Sequence, residues 1–171
     1  MYLKSKILFI FLALVFFLID QLSKKIIEST FILYESKTVI NHFFSIIYVH
    51  NKGFIFGIFS QSGNTYSTIG ISLLSVASLL FITLFFLISR NESKLFALGF
   101  SFVIGGAFGN MLDRVKTGYV IDFLDIYVGK YHWPTFNIAD SFICIGVTLL
   151  IIDIWKTGSP KTSKKQAVRV E

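Results

Sequence analysis

Four long apolar stretches constrain the fold of this chain more than any other feature of its sequence. A bilayer hydrocarbon core of about 30 Å requires about 20 apolar residues per spanning helix. Stretches of about this length run from Ile7 to Ile27, Tyr66 to Ile88, Leu95 to Leu112 and Phe136 to Trp155. Of the 171 residues, 54% are hydrophobic and only 15% are charged, which argues against an ordinary water-soluble domain. The sequence therefore predicts an all-α membrane protein with four transmembrane helices.

The distribution of basic residues predicts how the chain is oriented in the membrane. Both chain ends and the connection between the second and third stretches together hold nine of the 16 Lys and Arg residues. This small excess favours both termini in the cytoplasm. We expect residues 1–155 to form one four-span domain and the basic residues 156–171 to form a flexible cytoplasmic tail. The net charge of +6 is thus attributed to topology, and no nucleic-acid partner is expected.

The connection between the first two stretches, Glu28 to Thr65, contains a segment typical of β-strands. Val39 to Val49 is rich in β-branched and aromatic residues, and glycines follow it. This pattern predicts a small strand-turn-strand platform. Its aromatic residues suit the outer membrane surface. The connection Arg114 to Thr135 is expected to lead into the fourth helix through an interfacial aromatic belt around Trp133.

The cysteine and histidine content argues against a disulfide or a metal centre. Cys144 is the single cysteine, and its position inside an apolar run predicts a buried structural thiol. The histidines, His42, His50 and His132, lack metal-ligand spacing with one another and with Cys144. We expect neither a metal nor another cofactor.

Two aspartates beside the apolar stretches are the strongest candidates for chemistry. An ionisable residue at membrane depth is a functional hypothesis by default, because burying its charge is costly. Asp122 follows the third stretch and Asp140 opens the fourth, so both are expected at the same membrane edge. Two carboxyls in one site leave an acid beside a carboxylate, the groups that amide hydrolysis requires. By this reasoning Asp125 is as good a partner as Asp122, and Asp140 could be only a helix cap.

Asp20 and Lys24 on the first predicted helix form a second candidate group. They are four residues apart, so they share a helix face and are expected to form an ion pair. Ser23 beside Lys24 raises the alternative of a Ser-Lys nucleophile pair. That alternative is less favoured, because neighbouring helical residues point to different faces.

The end of the third stretch combines small and polar residues. Gly105 and Gly109 form a small-xxx-small face that predicts the close approach of another helix. Packing alone does not require the polar residues Asn110, Asp113 and Arg114 that follow. Arg114 could supply a positive charge that keeps one carboxylate ionised.

Five segments, taken in order, resemble motifs of one family, the type II (lipoprotein) signal peptidases of bacterial membranes. The segments are Asp20-Gln21-Leu22-Ser23-Lys24, Asn51-Lys52-Gly53-Phe54-Ile55-Phe56-Gly57, the run from Gly105 to Arg114, Val120-Ile121-Asp122-Phe123, and Phe136-Asn137-Ile138-Ala139-Asp140. The resemblance covers nearly the whole chain. Ile55 stands where the family usually has a small residue, so the packing of that loop is expected to differ.

The resemblance implies an aspartic endopeptidase of the bacterial cytoplasmic membrane, with its active site near the outer face. It implies that the enzyme removes the signal peptide of lipid-modified prolipoproteins just before the diacylglyceryl-cysteine. Asp122 and Asp140 would be the catalytic residues, which selects Asp122 over Asp125. Supporting or substrate-binding roles are implied for Asp20, Lys24, Asn51, Gly53, Asn110, Asp113, Arg114, Asn137 and Ala139. The expected partners are prolipoprotein substrates and membrane lipid, and the expected state is a monomer.

Two other classes of protein remain as alternatives. A proton- or ion-coupled transporter would use intramembrane carboxylates as a relay and would favour carboxylates spread across the membrane depth. A membrane assembly subunit would use the glycine-rich third helix to pack against a partner.

Overall fold

Each of the four predicted apolar stretches forms a helix in the computed structural model, which describes residues 2–52, 65–89 and 93–158. The elements in chain order are α1 Tyr2–Thr30, β1 Ser36–Ile40, β2 Phe44–Asn51, α2 Thr65–Ile88, α3 Lys94–Thr117, β3 Val120–Val128, β4 Tyr131–His132 and α4 Ile138–Gly158. Within the described residues, three helices are long and apolar enough to cross a membrane, and α2 contributes the shorter apolar segment Leu73–Ile88. The chain is therefore mostly helical, with three to four apolar helices and a small sheet.

Helix α3 lies at the centre of the bundle and contacts each of the other three helices. Its glycines permit this, because they let backbones approach closely. A Cβ atom at Gly105 would lie 2.6 Å from the carbonyl oxygen of Ala13 on α1, and one at Gly109 would collide with the carboxylate of Asp20. The predicted close approach at these two glycines is confirmed. Gly106 faces α4 instead, where a Cβ atom would collide with the carbonyl oxygen of Ala139.

The outer surface of the helices is apolar, as expected for contact with lipid. On α1, for example, Leu22 and Ile26 are about 60% exposed. Cys144 also lies on the exposed surface of α4, so the prediction of a buried thiol is wrong. The reason is helical geometry: α4 buries a stripe at Ala139, Gly146 and Asp153, and Cys144 is rotated roughly 200° from Gly146.

Four antiparallel strands form one sheet in the order β1-β2-β3-β4. The β1-β2 hairpin confirms the strand-turn-strand part of the prediction. The connection from Arg114 to Thr135 also contains two strands, β3 and β4, which were not predicted. The apolar residues of β3 belong to a buried cluster, in which Ile121 and Phe123 pack with Ile27 and Tyr48. The sheet is thereby attached to the end of α1.

A backbone bridge connects β3 to the start of α4. The N–H of Leu124 donates to the carbonyl oxygen of Phe136 at 2.8 Å, and the N–H of Phe136 donates to the carbonyl oxygen of Leu124 at 3.1 Å. This bridge holds the chain just before α4 beside β3. Asp122 and Asp140 therefore lie on neighbouring pieces of backbone, although 18 residues separate them in sequence.

The close contact at Gly106 leads to a stability prediction. Gly106→Ala should destabilise the folded protein by about 1–3 kcal/mol, because the new methyl group would press against the backbone of Ala139, which cannot rotate away. Thermal unfolding in detergent micelles measures the effect. Gly70→Ala is the matched control, since a Cβ atom there has no neighbour within 4 Å. Equal melting temperatures for the two variants would contradict this packing.

Candidate active site

Asp122 on β3 is completely buried and is held by two side-chain amides. Its Oδ2 atom accepts a hydrogen bond from Nδ2 of Asn51 at 2.8 Å, and its Oδ1 atom accepts one from Nδ2 of Asn137 at 2.7 Å. Asn51 comes from the end of β2, where Val49 is the direct cross-strand partner of Asp122. Pairing of β2 with β3 therefore aims the Asn51 amide at this carboxyl group.

Asp140 in the first turn of α4 both caps the helix and faces α3. Its Oδ2 atom accepts from the backbone N–H of Asn137 at 3.2 Å, and its own N–H donates to Oδ1 of Asn137 at 3.0 Å. This reciprocal pair is a capping box, so Asp140 does cap α4. The cap uses only one carboxylate oxygen. The other, Oδ1, accepts from Nδ2 of Asn110 at 2.7 Å.

Asn137 brings the two aspartates into one site. Its side-chain amide donates to Asp122, and its backbone N–H donates to Asp140. The same amide also donates to Oδ1 of Asn110 at 3.1 Å, which closes a ring of contacts around both carboxyl groups. Asn137 is itself completely buried, so these hydrogen bonds are shielded from solvent.

The environment of Asp122 favours a bound proton near neutral pH. Burial raises the pKa of Asp122 from 3.8 to about 7, and the negative charge of Asp140 also acts to raise it. The hydrogen bonds from Asn51 and Asn137 oppose this increase, because they stabilise the ionised form. A proton can therefore be gained or lost at this site at ordinary pH.

A buried lysine connects α1 to α3 beside the aspartates. Lys24 is 2% exposed, and its Nζ atom lies 2.9 Å from Oδ2 of Asp20 and 2.7 Å from Oδ2 of Asp113. The predicted ion pair with Asp20 is thus formed, and Asp113 joins it. The same ammonium donates to Oδ1 of Asn110 at 2.8 Å, and Asn110 in turn contacts Asp140.

Asp20 also attaches α1 to the start of α4. Its Oδ1 atom accepts a hydrogen bond at 3.0 Å from the backbone N–H of Ala139, one of the N–H groups that a helix leaves unpaired at its first turn. Gln21 was not among the predicted site residues, yet its Nε2 atom donates to Oδ1 of Asp113 at 3.0 Å. Its uncharged side chain beside Asp20 gave little signal in the sequence.

Most of the predicted site residues belong to one hydrogen-bonded network. These are Asp20, Lys24, Asn51, Asn110, Asp113, Asp122, Asn137, Ala139 and Asp140. Gly53 and Ile55 lie outside the described residues. Arg114 forms no ion pair with a carboxylate among the described residues, and its buried Nε atom has no hydrogen-bond partner there.

The two alternative sites considered from the sequence, Asp125 and the Ser23-Lys24 pair, make other contacts in the structure. Asp125 lies on β3 like Asp122, but its carboxyl oxygens contact Nδ1 of His132 at 2.9 and 3.0 Å. Ser23 donates to the carbonyl oxygen of Asp20 at 2.7 Å, a local contact within α1. Lys24 is occupied by Asp20, Asp113 and Asn110. The geometry therefore favours Asp122 with Asp140 as the reactive pair.

The fold and site together define a class of protein, a helical membrane protein with two aspartates gathered at one end of its bundle. Comparison with known proteins identifies the family within this class. The sequence profile described as signal peptidase (SPase) II matches residues 12–156. The chain belongs to this peptidase family.

Individual relatives agree with the family assignment. The lipoprotein signal peptidase of Alteromonas mediterranea is 42% identical over 93% of this chain and 86% of its own length. That of Haemophilus influenzae is 39% identical over 95% of this chain and 94% of its own.

Two solved structures of bacterial membrane enzymes share the fold. One superposes with a TM-score of 0.76 at 32% identity, covering 91% of this chain and 95% of the other. The second has a TM-score of 0.72 at 34% identity, covering 99% and 96%.

The raised pKa of Asp122 predicts a pH dependence of stability. Between the ordinary pKa of 3.8 and about 7, the folded protein holds a proton that the unfolded chain has lost. The contribution of this group to stability therefore falls as the pH rises through that window, by roughly 1.4 kcal/mol per pH unit, and is constant above it. We expect the melting temperature of Asp122→Asn to rise relative to that of the unmodified protein between about pH 5 and about pH 8. A constant difference would contradict the raised pKa.

The buried ammonium predicts a large effect at Lys24. Lys24→Met should destabilise the protein by about 3–5 kcal/mol, because it leaves Asp20 and Asp113 as buried charges without their common partner. Thermal unfolding in detergent measures the loss. Lys37→Met is the control, since Lys37 is an exposed lysine on β1. The network would be energetically unimportant if both variants melted like the unmodified protein.

Proposed function

We propose that this chain is an aspartic endopeptidase that removes the signal peptide from lipid-modified prolipoproteins, cleaving just before the diacylglyceryl-cysteine. Membership of the signal peptidase II family supports the peptidase activity. Several relatives are named lipoprotein signal peptidases, which supports the substrate class. The single observation that supports the aspartic mechanism is the contact of Asn137 with both Asp122 and Asp140.

The reaction requires one carboxylate and one carboxylic acid in the pair. The carboxylate takes a proton from a water molecule while the oxygen of that water attacks the scissile carbonyl carbon. The acid donates a hydrogen bond to the carbonyl oxygen, where negative charge develops. A proton then passes to the amine as the C–N bond breaks, and the pair returns to its starting charge. The proton is a property of the pair, so neither aspartate is assigned as its resting owner.

The surrounding residues position this pair. The amides of Asn51 and Asn137 fix the orientation of the Asp122 carboxyl group, and Asn110 fixes that of Asp140. Lys24 orients Asn110 through its Oδ1 atom, because an amide whose oxygen is bound must present its N–H groups elsewhere. Gly53 and Arg114 keep the supporting roles that the family resemblance implies.

The proposed site lies near the outer face of the bacterial cytoplasmic membrane, in a monomer with four spans and both termini in the cytoplasm. Helices α1 and α3 end, and α4 begins, at the end of the bundle that carries the sheet. A lipid-anchored substrate with a spanning signal helix presents its scissile bond near a membrane surface. The sheet would clamp the substrate there, and its edge strand β1 is exposed along its whole length.

The transporter alternative finds little support in this arrangement. The carboxylates of Asp20, Asp113, Asp122 and Asp140 gather in one network at one end of the bundle, not along a path through it. Asp153 lies near the other end of α4, where it accepts a hydrogen bond from Ser93.

Single Asp→Asn substitutions test the catalytic pair. Asp122→Asn and Asp140→Asn should each reduce cleavage of a lipidated precursor by about 10²–10⁴-fold, because Asn is nearly isosteric and cannot exchange a proton at this pH. The measurement is the rate of signal-peptide release by purified protein in detergent.

Asp125→Asn is the matched control, since Asp125 lies on the same strand and contacts His132 instead. It should retain most of the activity. Substantial cleavage by either Asp122→Asn or Asp140→Asn would contradict the aspartic mechanism. A comparable loss in folded Asp125→Asn would place the chemistry elsewhere on β3.

A further inference from the structure

A cavity of about 340 Å³ lies between α1 and α3, next to the start of β3. Its walls include the apolar side chains of Leu18, Leu22 and Ile121, and its lining also includes the buried pair Lys24 and Asp113. Ile121 precedes Asp122 on β3, and neighbouring strand residues point to opposite faces. The cavity is therefore on the other side of the strand from the catalytic carboxyl group of Asp122.

The α1 wall of the cavity changes in character along the helix axis. Leu18, Leu22, Lys25 and Glu28 all line it and follow one another at helical spacing, so they share one face. At about 1.5 Å per residue, Lys25 lies roughly 10 Å beyond Leu18, and Glu28 lies one further turn toward the helix end. Along this face of α1 the lining is thus apolar at Leu18 and Leu22, cationic at Lys25 and acidic at Glu28, while the polar Gln21 borders the apolar part.

The charges at the outer end are available for a ligand. Lys25 on α1 and Lys116 on α3 are both exposed and line the same cavity, as does the exposed Glu28. None of the three forms an ion pair with another described residue. Lys24 differs, because its ammonium is already neutralised by Asp20 and Asp113.

We propose that this cavity binds one glycerophospholipid with a phosphoethanolamine head group. An acyl chain would lie against Leu18 and Leu22, the phosphate would contact Lys25 and Lys116, and the ammonium would contact Glu28. Lysines next to the end of a spanning helix attract the negative charge of lipid phosphates. A purely anionic head group would place negative charge next to Glu28, whereas a zwitterionic head group offers a phosphate to the lysines and an ammonium to Glu28. The site is independent of the peptidase proposal, because its head-group contacts involve no residue of the catalytic network.

Lipid titration of the delipidated full-length chain tests the site. Native mass spectrometry would measure the fraction of protein that retains one bound lipid, with phosphatidylethanolamine, phosphatidylglycerol and phosphatidylcholine of identical acyl chains. Phosphatidylethanolamine should bind most tightly. Phosphatidylcholine should bind about fivefold more weakly, because its trimethylated nitrogen cannot donate a hydrogen bond to Glu28.

Variants of the three charged residues identify the binding position. Lys25→Gln and Lys116→Gln should each weaken binding of phosphatidylethanolamine about fivefold. Glu28→Gln should abolish the preference for phosphatidylethanolamine over phosphatidylglycerol. Lys37→Gln is the matched control, because Lys37 is an exposed lysine outside the cavity lining. All four positions are exposed, so the variants should fold, and unchanged melting temperatures in detergent verify this.

Two results would overturn the proposal. Equal binding of the three lipids would show that the cavity accepts any bilayer lipid. An unchanged lipid preference in folded Lys25→Gln, Lys116→Gln and Glu28→Gln would show that the head group is recognised elsewhere on the protein.

Discussion

The buried ammonium of Lys24 is the interaction on which the rest of the site depends. It joins α1 to α3 by contacting Asp20 and Asp113 at ion-pair distance, in a buried place where an unpaired charge is costly. It also fixes the amide of Asn110, which orients Asp140. One ammonium is thereby shared by two buried carboxylates, next to the pair that is proposed to be catalytic. Since Asp20 also binds the first turn of α4, three helices meet at this charge.

The helical part of the fold was predictable because each apolar stretch was long and uninterrupted. The β1-β2 hairpin was predictable for a different reason, its concentration of β-branched and aromatic residues. Strand β3, Val120–Val128, carries a similar signal between two glycines, but a short apolar run next to a helix end does not reveal its partner. Its pairing with β2 depends on tertiary contacts that bring together segments separated by two helices. Burial of Cys144 was mispredicted because apolarity identifies a spanning helix without showing which face is covered.

The candidate site was only partly predictable from residue types. Asp122 and Asp125 are the same residue type in the same apolar segment, so only the family resemblance separated them in the sequence. In the structure their difference is physical, because an odd spacing places them on opposite faces of β3, one toward Asn137 and one toward His132. Gln21 escaped notice because an uncharged side chain beside an aspartate carries little information. Its contact with Asp113 becomes visible only when α1 packs on α3.

The capping box at the start of α4 gives Asp140 a structural role beside its proposed catalytic one. One of its oxygens accepts the N–H of Asn137, and Asn137 also holds Asp122. In the proposed reaction Asp140 changes its protonation state, and a neutral carboxyl group is a weaker acceptor and a weaker partner for the helix dipole. The first turn of α4 would therefore loosen and tighten once per turnover. Under the proposed mechanism, the stability of this helix turn would follow the protonation of Asp140.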